Sequence, residues 1–250
     1  MNQWLFDLGN TRLKCAPLGA DGRPGEVQAL DHTAADLGAA LDAALPVHFD
    51  VAHVASVASE ALRIALLDAL STRCARIALA RSQPAFGGVR IAYAQPQRLG
   101  VDRFLALLAA RSRGGAALVC GVGTALTIDL VDAEGRHHGG RIAPSPTLMR
   151  ESLHARAPQL PVAGGVYADF ADNTVDALVS GCDGAAVALI EAALRDATQR
   201  LGAAPELLLH GGGAQALREH LPSAAWAPSL VLEGLAAWVA TCSAPADRPR

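Results

Sequence analysis

An aspartate and an arginine stand side by side at the end of the glycine-containing loop Tyr93–Arg103, which leads into an apolar segment predicted to be helical. A carboxylate can accept the proton of an attacking hydroxyl, and a guanidinium can hold the acceptor or a migrating phosphoryl group. Asp102 and Arg103 are therefore a candidate pair for phosphoryl transfer. A simpler interpretation stays open, in which Asp102 caps the first helical turn and Arg103 is solvated.

A second candidate is the glycine turn within Cys120–Asp129, which lies between two apolar segments predicted to be strands. Glycine lets the backbone approach a ligand closely, and its N–H groups can bind phosphate oxygens together with the hydroxyls of Thr124 and Thr127. The segment is therefore a candidate phosphate cradle. The alternative is an ordinary hairpin turn, since Gly-x-Gly-Thr turns occur in many sheets.

The N-terminal segment Trp4–Lys14 has a similar pattern of an apolar strand, a turn with glycine and threonine, and a returning strand. Gly121 follows Asp7 by 114 residues, close to half of the 250-residue chain, so we expect two related halves that arose by duplication. Asp7 ends the first strand, where a carboxylate can bind a Mg²⁺ ion that bridges ATP phosphates. It can equally be a simple turn-forming residue.

Two later segments are also candidates for ligand contact. Gly211–Gly213 follows a predicted strand, and three residues without side chains would let a flat ligand such as adenine lie against the backbone; a flexible turn is the alternative. Asn173 and Thr174 precede the helix predicted over residues 183–197, and helix capping alone can explain them.

The elements that must position these residues alternate between strands and helices, which indicates an α/β protein. The glycines after Arg113 predict a boundary, giving an N-terminal domain of residues 1–113, a C-terminal domain of residues 114–243 and a disordered tail of residues 244–250. His137 and His138 are expected in a solvated loop, since they lack the spacing of metal ligands.

The composition indicates which classes of partner to expect. The formal net charge is −3 and the basic residues are dispersed, so we expect no nucleic-acid partner. No segment approaches the roughly 18 uninterrupted apolar residues of a membrane span. The N-terminus lacks a basic region before an apolar segment, so we expect no signal peptide and a cytoplasmic protein.

Taken together, the candidate segments resemble the motifs of the type III pantothenate kinases. The motifs occur in the same order and cover residues 4 to about 235, nearly the whole chain. They are Asp7-x-Gly9-Asn10-Thr11, Gly100-Val101-Asp102-Arg103, Gly123-Thr124-Ala125-x-Thr127-x-Asp129, Gly139-Gly140-x-Ile142-x-Pro144, Asn173-Thr174 and Gly211-Gly212.

The resemblance implies an actin-like ATPase fold of the acetate and sugar kinase/Hsp70/actin superfamily, with two ribonuclease-H-like domains and ATP in the interdomain cleft. Members of the family are homodimers that transfer the γ-phosphoryl group of ATP to the primary hydroxyl of pantothenate. The product, 4'-phosphopantothenate, is the first intermediate of coenzyme A synthesis. The family requires Mg²⁺ and a monovalent cation, K⁺ or NH4⁺.

The resemblance also implies roles for individual residues. Asp102 would be the general base, Asp7 would lie on the Mg²⁺ side, and Asp129 would bind the monovalent cation. The pantothenate contacts would be Tyr93, Gly100, Val101, Arg103 and Thr174, the last reaching the partner subunit's site. The residues expected to bind ATP are Asp7, Leu8, Gly9, Asn10, Thr11, Lys14, Gly123, Thr124, Ala125, Gly211 and Gly212.

Two positions depart from the family pattern. The second hairpin usually begins with Asp-x-Gly-Thr, and this chain has Gly121 in place of the aspartate. Ser145 follows Pro144 where glycine is common. Without the carboxylate, Mg²⁺ is expected either to be held by Asp7, ATP and water alone or to bind more weakly. The substitution Gly121→Asp is predicted to tighten the apparent Mg²⁺ requirement without creating activity from nothing.

Two alternative functions stay open at this point. The glycine at position 121 would suit a non-catalytic ATP-binding regulator, although no basic face supports binding to DNA. Another phosphotransferase or a phosphohydrolase of the same fold would share the hairpins, but the Gly100–Arg103 loop argues against it.

Overall fold

Two five-stranded sheets organise the chain in a computed structural model, which describes residues 1–31 and 37–243. The chain divides into a first unit, Met1–Arg113 together with Ser229–Arg250, and a second unit, Gly114–Pro228. The division after Arg113 lies where the sequence placed a boundary. The last helix, in contrast, groups with the first unit, although the sequence placed it in the second. The predicted tail, residues 244–250, lies outside the described residues.

The strands and helices have the following bounds. The strands are β1 Gln3–Leu8, β2 Arg12–Pro17, β3 Gln28–Asp31, β4 Phe49–Ser56, β5 Cys74–Leu79, β6 Ala85–Phe86, β7 Val89–Arg90, β8 Ala117–Val122, β9 Ala125–Val131, β10 His137–Pro144, β11 Glu206–His210 and β12 Ala225–Trp226. The helices are α1 Leu37–Ala44, α2 Glu60–Ser71, α3 Val101–Arg113, α4 Pro146–Arg156, α5 Thr174–Leu201, α6 Ala214–Leu217 and α7 Leu230–Ser243.

The sheet of the first unit has the strand order β3-β2-β1-β4-β5. Strand β1 pairs antiparallel with β2 and parallel with β4, so the turn after β1 lies at the carboxyl edge of the parallel pair. Apolar side chains of α1 and α2 form a core with one face of the sheet, including Phe6, Leu41 and Leu66. Helices α3 and α7 pack against each other and against the sheet.

The second unit repeats this topology. Its strand order is β10-β9-β8-β11-β12, again an antiparallel meander followed by two parallel strands. Strand β8 begins and ends 114 residues after β1, which is the offset found in the sequence. The expectation of two related halves is therefore confirmed by the structure.

Helix α5 is longer than the sequence predicted, because it begins at Thr174 and continues to Leu201. Asn173 caps it by accepting a hydrogen bond from the Asp176 N–H at 3.0 Å, and Gly202 ends it with a left-handed φ of 76°. By length and composition α5 could cross a membrane. Its residues Ala186 and Ile190 pack into the core of the second unit, however, as in a core helix.

Candidate active site

The turn between β1 and β2 carries the first predicted group of ATP residues. The Gly9 N–H donates to the Arg12 carbonyl at 3.0 Å, which closes a short turn and leaves Asn10 and Thr11 exposed. Asp7 and Lys14 face each other in the register of the two strands. The hairpin therefore places an acidic residue, a basic residue and two exposed polar side chains at the end of β1.

Asp7 and Asp102 come together in the first unit. Burial, followed by repulsion from the Asp102 carboxylate, raises the pKa of Asp7 from 3.8 to about 7, while the charge of Lys14 opposes the shift. Two neighbouring carboxylates, one of them with a raised pKa, are characteristic of sites that bind a cation or move a proton. The structure thus unites the predicted Mg²⁺ residue and the predicted general base.

The loop before α3 is anchored by apolar residues on either side of its glycine. Leu99 and Val101 are buried, and the Ser82 hydroxyl donates to the Leu99 carbonyl at 2.8 Å. Gly100 lies close to the Asp102 carboxylate, since a Cβ atom there would be 2.5 Å from Asp102 Oδ1. The predicted substrate loop is therefore anchored on both sides of Gly100. Asp102 follows in the first turn of α3.

Arg103 is the buried cation of this loop, with 7% of its surface exposed. Its Nη1 atom donates to the Tyr93 hydroxyl at 3.2 Å, and its guanidinium carbon lies 5.9 Å from the centre of the Tyr93 ring. The structure brings together two residues that the sequence assigned to the same pocket. The solvated-arginine alternative for Arg103 is wrong, because the residue is buried and its guanidinium lies against Tyr93.

The hairpin of the second unit has a two-residue loop, Gly123-Thr124, closed by a 2.9 Å hydrogen bond from the Gly123 N–H to the Ala125 carbonyl. Ser145, one of the two departures from the family pattern, has a structural role. Its buried hydroxyl donates to the Thr124 carbonyl at 3.0 Å and accepts from the Leu148 N–H at 3.3 Å, so it ties the hairpin to the first turn of α4.

The glycine loop after β11 meets the same hairpin. The Gly213 N–H donates to the Val122 carbonyl at 3.0 Å, and Gly211 has a φ of 98°. A Cβ atom on Gly211 would overlap the Val122 carbonyl oxygen. Two loops predicted to bind ATP, Gly123–Ala125 and Gly211-Gly212, are therefore in contact through Val122.

The space beside Gly121 is already filled. A Cβ atom at this position would lie 2.8 Å from His210 Nε2 and 2.9 Å from Thr127 Oγ1, which is closer than Cβ atoms approach other groups. An aspartate at position 121 would have to displace the imidazole. The substitution Gly121→Asp would therefore require the His210 and Thr127 side chains to move, and its predicted effect on the Mg²⁺ requirement stays a prediction. Sequence reasoning missed His210, because only the pairing of β8 with β11 brings it to Gly121.

Asp129, the predicted ligand of the monovalent cation, is buried in the second unit. Its Oδ1 atom lies 3.0 Å from His137 Nε2, and His137 is buried as well. The expected solvated loop for His137 and His138 is therefore wrong. His137 pairs with a buried carboxylate, and His138 pairs with Asp132 at 2.7 Å.

Thr174 is the first residue of α5 and is exposed, and it belongs to the second unit. Within residues 1–31 and 37–243, no group of three or more His, Cys, Asp and Glu side chains is arranged to hold a metal ion.

Known proteins resemble the chain over almost its whole length. Residues 4–196 match the model of the type III pantothenate kinase family. The type III pantothenate kinase of Stenotrophomonas maltophilia (strain K279a) is 58% identical over 238 residues, which cover 95% of this chain and 97% of that protein. The type III pantothenate kinase of Xanthomonas campestris pv. campestris (strain B100) is 57% identical over 246 residues, 98% of this chain and all of that protein.

Solved structures share the fold at low sequence identity. A protein assigned to the Baf family of transcriptional activators from Campylobacter jejuni has a TM-score of 0.60 and 22% identity, covering 93% of this chain and 94% of its own. The ethanolamine utilization protein EutJ from Carboxydothermus hydrogenoformans has a TM-score of 0.54 and 12% identity, covering 95% and 90%. The predicted actin-like α/β fold with two sheets is confirmed. By sequence, the chain belongs to the type III pantothenate kinase family.

Proposed function

We propose that the chain transfers the γ-phosphoryl group of ATP to the primary hydroxyl of pantothenate, giving 4'-phosphopantothenate and ADP. Relatives at 55–58% identity that share this family name favour a kinase over a non-catalytic regulator. The observation that carries the assignment to residues is the proximity of Asp7 to Asp102 in the first unit, where burial and then repulsion from Asp102 raise the pKa of Asp7 to about 7.

In this proposal Asp102 accepts the proton of the pantothenate hydroxyl. The hydroxyl oxygen forms a bond to the γ-phosphorus, and the bond from that phosphorus to the bridging oxygen of ADP breaks. Such a loose transition state needs positioning and charge neutralisation more than covalent help. Asp102 lies in the first turn of α3, where the helix dipole favours the ionised carboxylate that a base requires.

The acceptor is held by the loop before α3. Arg103, oriented by the Tyr93 hydroxyl, would bind the pantothenate carboxylate or amide, with Gly100 and Val101 lining the pocket. A guanidinium whose orientation is set by a neighbour loses less entropy when it binds, which supports this role. Thr174 would contact pantothenate in the partner subunit's site.

Each unit contributes phosphate-binding backbone in this proposal. In the first unit the ATP residues are Asp7, Leu8, Gly9, Asn10, Thr11 and Lys14, on and around the β1–β2 turn. In the second unit they are Gly123, Thr124, Ala125, Gly211 and Gly212, in the two loops that meet at Val122. Backbone N–H groups in such turns are suited to phosphate oxygens.

Asp7 and the ATP phosphates would hold Mg²⁺. The donor set fits, because a hard divalent cation prefers carboxylate oxygens and would stabilise the ionised form of Asp7, whose pKa is raised by burial and then by repulsion from Asp102. When bound, the ion neutralises charge on the phosphates. Asp129 stays the proposed ligand of the monovalent cation, K⁺ or NH4⁺. The fit there is poorer, because the cation would share the carboxylate with His137 at 3.0 Å.

The proposal includes a homodimer in the cytoplasm, with no nucleic-acid or membrane partner. Exposed apolar side chains precede Thr174, and they include Val162, Val166 and Phe170. Apolar residues concentrated in one segment suit an interface between subunits. A partner that covers this segment would also lie close to Thr174, as the proposed substrate contact requires.

The proposed reaction is tested by following ADP release from ATP with and without pantothenate, in the presence of Mg²⁺ and K⁺. We expect release that depends on pantothenate and falls when either cation is left out. Release that is independent of pantothenate would indicate a phosphohydrolase. No release under any condition would favour the regulator.

A further inference from the structure

Three residues on adjacent strands of the second unit share one face of the sheet. Gly121 is paired with Thr127 across β8 and β9, and with His210 across β8 and β11. Residues paired in register project to the same side of a sheet. Strands β8 and β11 are parallel and both end within two residues of this position, so the three residues lie at the carboxyl edge where open α/β sheets bind ligands.

The imidazole of His210 covers Gly121. A Cβ atom built on Gly121 would lie 2.8 Å from Nε2 and 2.9 Å from Cε1 of His210, and 2.9 Å from Thr127 Oγ1. The imidazole and the hydroxyl therefore occupy the place of the side chain at position 121. Glycine at 121 and histidine at 210 are matched, since another side chain at 121 would push the imidazole away.

Gly121 and His210 also lie where the two loops proposed to bind ATP in this unit begin. His210 directly precedes Gly211, and Gly121 is two residues before the Gly123-Thr124 turn. The two loops touch through the bond from the Gly213 N–H to the Val122 carbonyl at 3.0 Å. A group at this point is close to whatever the two loops bind.

The chemistry of the three residues suits an anion. An imidazole N–H and a hydroxyl can both donate to phosphate oxygens, and a protonated imidazole adds a favourable charge. A carboxylate at position 121 would instead repel a phosphate unless a cation lay between them. With glycine at position 121 and an imidazole beside it, the position suits an anion better than a cation.

We propose that His210, together with Thr127, binds a phosphate group of the nucleotide directly, at the position where the family pattern has a carboxylate. The inference rests on the proposed binding of ATP by the second unit. It makes His210 a nucleotide-binding residue that the family motifs do not contain.

The test combines calorimetric titration of ADP and ATP with steady-state kinetics on the full chain. His210→Leu removes the donor, and we expect nucleotide binding to weaken about tenfold or more, as for the loss of a hydrogen bond to a charged group. The KM for pantothenate should stay within about twofold. His210→Gln, which keeps a donor, should recover part of the loss.

A double-mutant cycle tests the match between the two positions. Gly121→Ala adds one methyl group against the imidazole, so it should weaken nucleotide binding much as His210→Leu does. The double variant Gly121→Ala/His210→Leu should be no weaker than either single variant, because both remove the same interaction. Gly181→Ala in α5 is the matched control, since a Cβ atom there meets no other group within 4 Å.

Thermal unfolding of every variant separates loss of binding from loss of fold. Equal nucleotide affinity for the wild type and for a folded His210→Leu variant would overturn the inference and leave the kinase proposal intact. Additive losses in the double variant would overturn it as well. ADP release independent of pantothenate would sink the kinase proposal, while the binding arm would still report on His210. A wild type that binds neither ADP nor ATP would overturn both.

Discussion

The charge of Asp7, in the first unit, depends strongly on the surroundings of its carboxyl group. Its pKa rises to about 7 because of burial and the neighbouring Asp102, and Lys14 only partly offsets this. Near neutral pH a small change in surroundings, such as the arrival of a cation, can therefore ionise it. A bound Mg²⁺ would favour the ionised form and release a proton.

This pKa makes a stability prediction for Asp7→Asn. In the unfolded chain the carboxyl ionises near its ordinary value of 3.8, but in the folded chain it resists ionisation until about pH 7. The wild type therefore loses stability as pH rises between these values. We expect Asp7→Asn to raise the midpoint of thermal unfolding at pH 8 and to leave it nearly unchanged at pH 4. A lower midpoint at pH 8 would contradict the account.

Residue types predicted some contacts and missed others for a physical reason. The role of Asn173 as a cap is local, so the sequence carried enough information for it. Tyr93 and Arg103 were assigned to one pocket by the family resemblance alone, and the hydrogen bond between them is a finding of the structure. His210 and Gly121 are far apart in the chain and meet only through the pairing of β8 with β11. No local pattern specifies that pairing.

At the scale of elements, α3 is positioned by its crossing with α7. A Cβ atom on Gly234 of α7 would overlap the carbonyl of Leu105 in α3, so glycine is what allows the two helices to approach. Helix α3 carries Asp102 in its first turn. The crossing with α7 therefore helps to position the helix that carries the candidate base.

We expect Gly234→Ala to reduce the free energy of unfolding by about 2 kcal/mol or more, as overpacking against backbone does. It should also lower kcat, because α3 must shift to make room. Gly38→Ala in α1 is the control, since a Cβ atom there meets nothing within 4 Å. Chemical denaturation measures both variants. A Gly234→Ala protein as stable as the control would show that the crossing does not depend on glycine.

The crossing also explains the placement of the last helix. The sequence indicated a helix near Val231, but the apolar residues of a helix do not specify which sheet it packs against. Helix α7 follows the second unit in the chain and yet packs with α3, β1 and β2 of the first unit. A linear division at one boundary could not have represented a unit formed from two segments.

The whole molecule repeats one topology twice, and the repeat was visible in the sequence as an offset of 114 residues between β1 and β8. The two copies have diverged at their strand ends. The first keeps Asp7, whereas the second has Gly121 beneath His210. In the proposed enzyme the end of β1 therefore contacts Mg²⁺ through Asp7, and the end of β8 lies beside a phosphate group bound by His210.

The exposed apolar segment before Thr174 predicts where the dimer interface lies. Phe170 is 99% exposed, and it lies in the apolar segment before Thr174. If this segment is the dimer interface, Phe170→Asp should convert the dimer to a monomer, since a buried unpaired charge is costly. Val47→Asp is the control, because Val47 is 74% exposed in the first unit. Light scattering gives the masses, and equal masses for both variants would exclude Phe170 from the interface.

The central claim is that Asp102 is the general base of phosphoryl transfer to pantothenate. Asp102→Asn keeps the shape of the side chain and removes its ability to accept a proton. We predict that kcat falls by about 100-fold or more, in line with the loss of a general base, while the affinity for ATP stays within about twofold. Near-normal turnover by a folded Asp102→Asn variant would contradict the account.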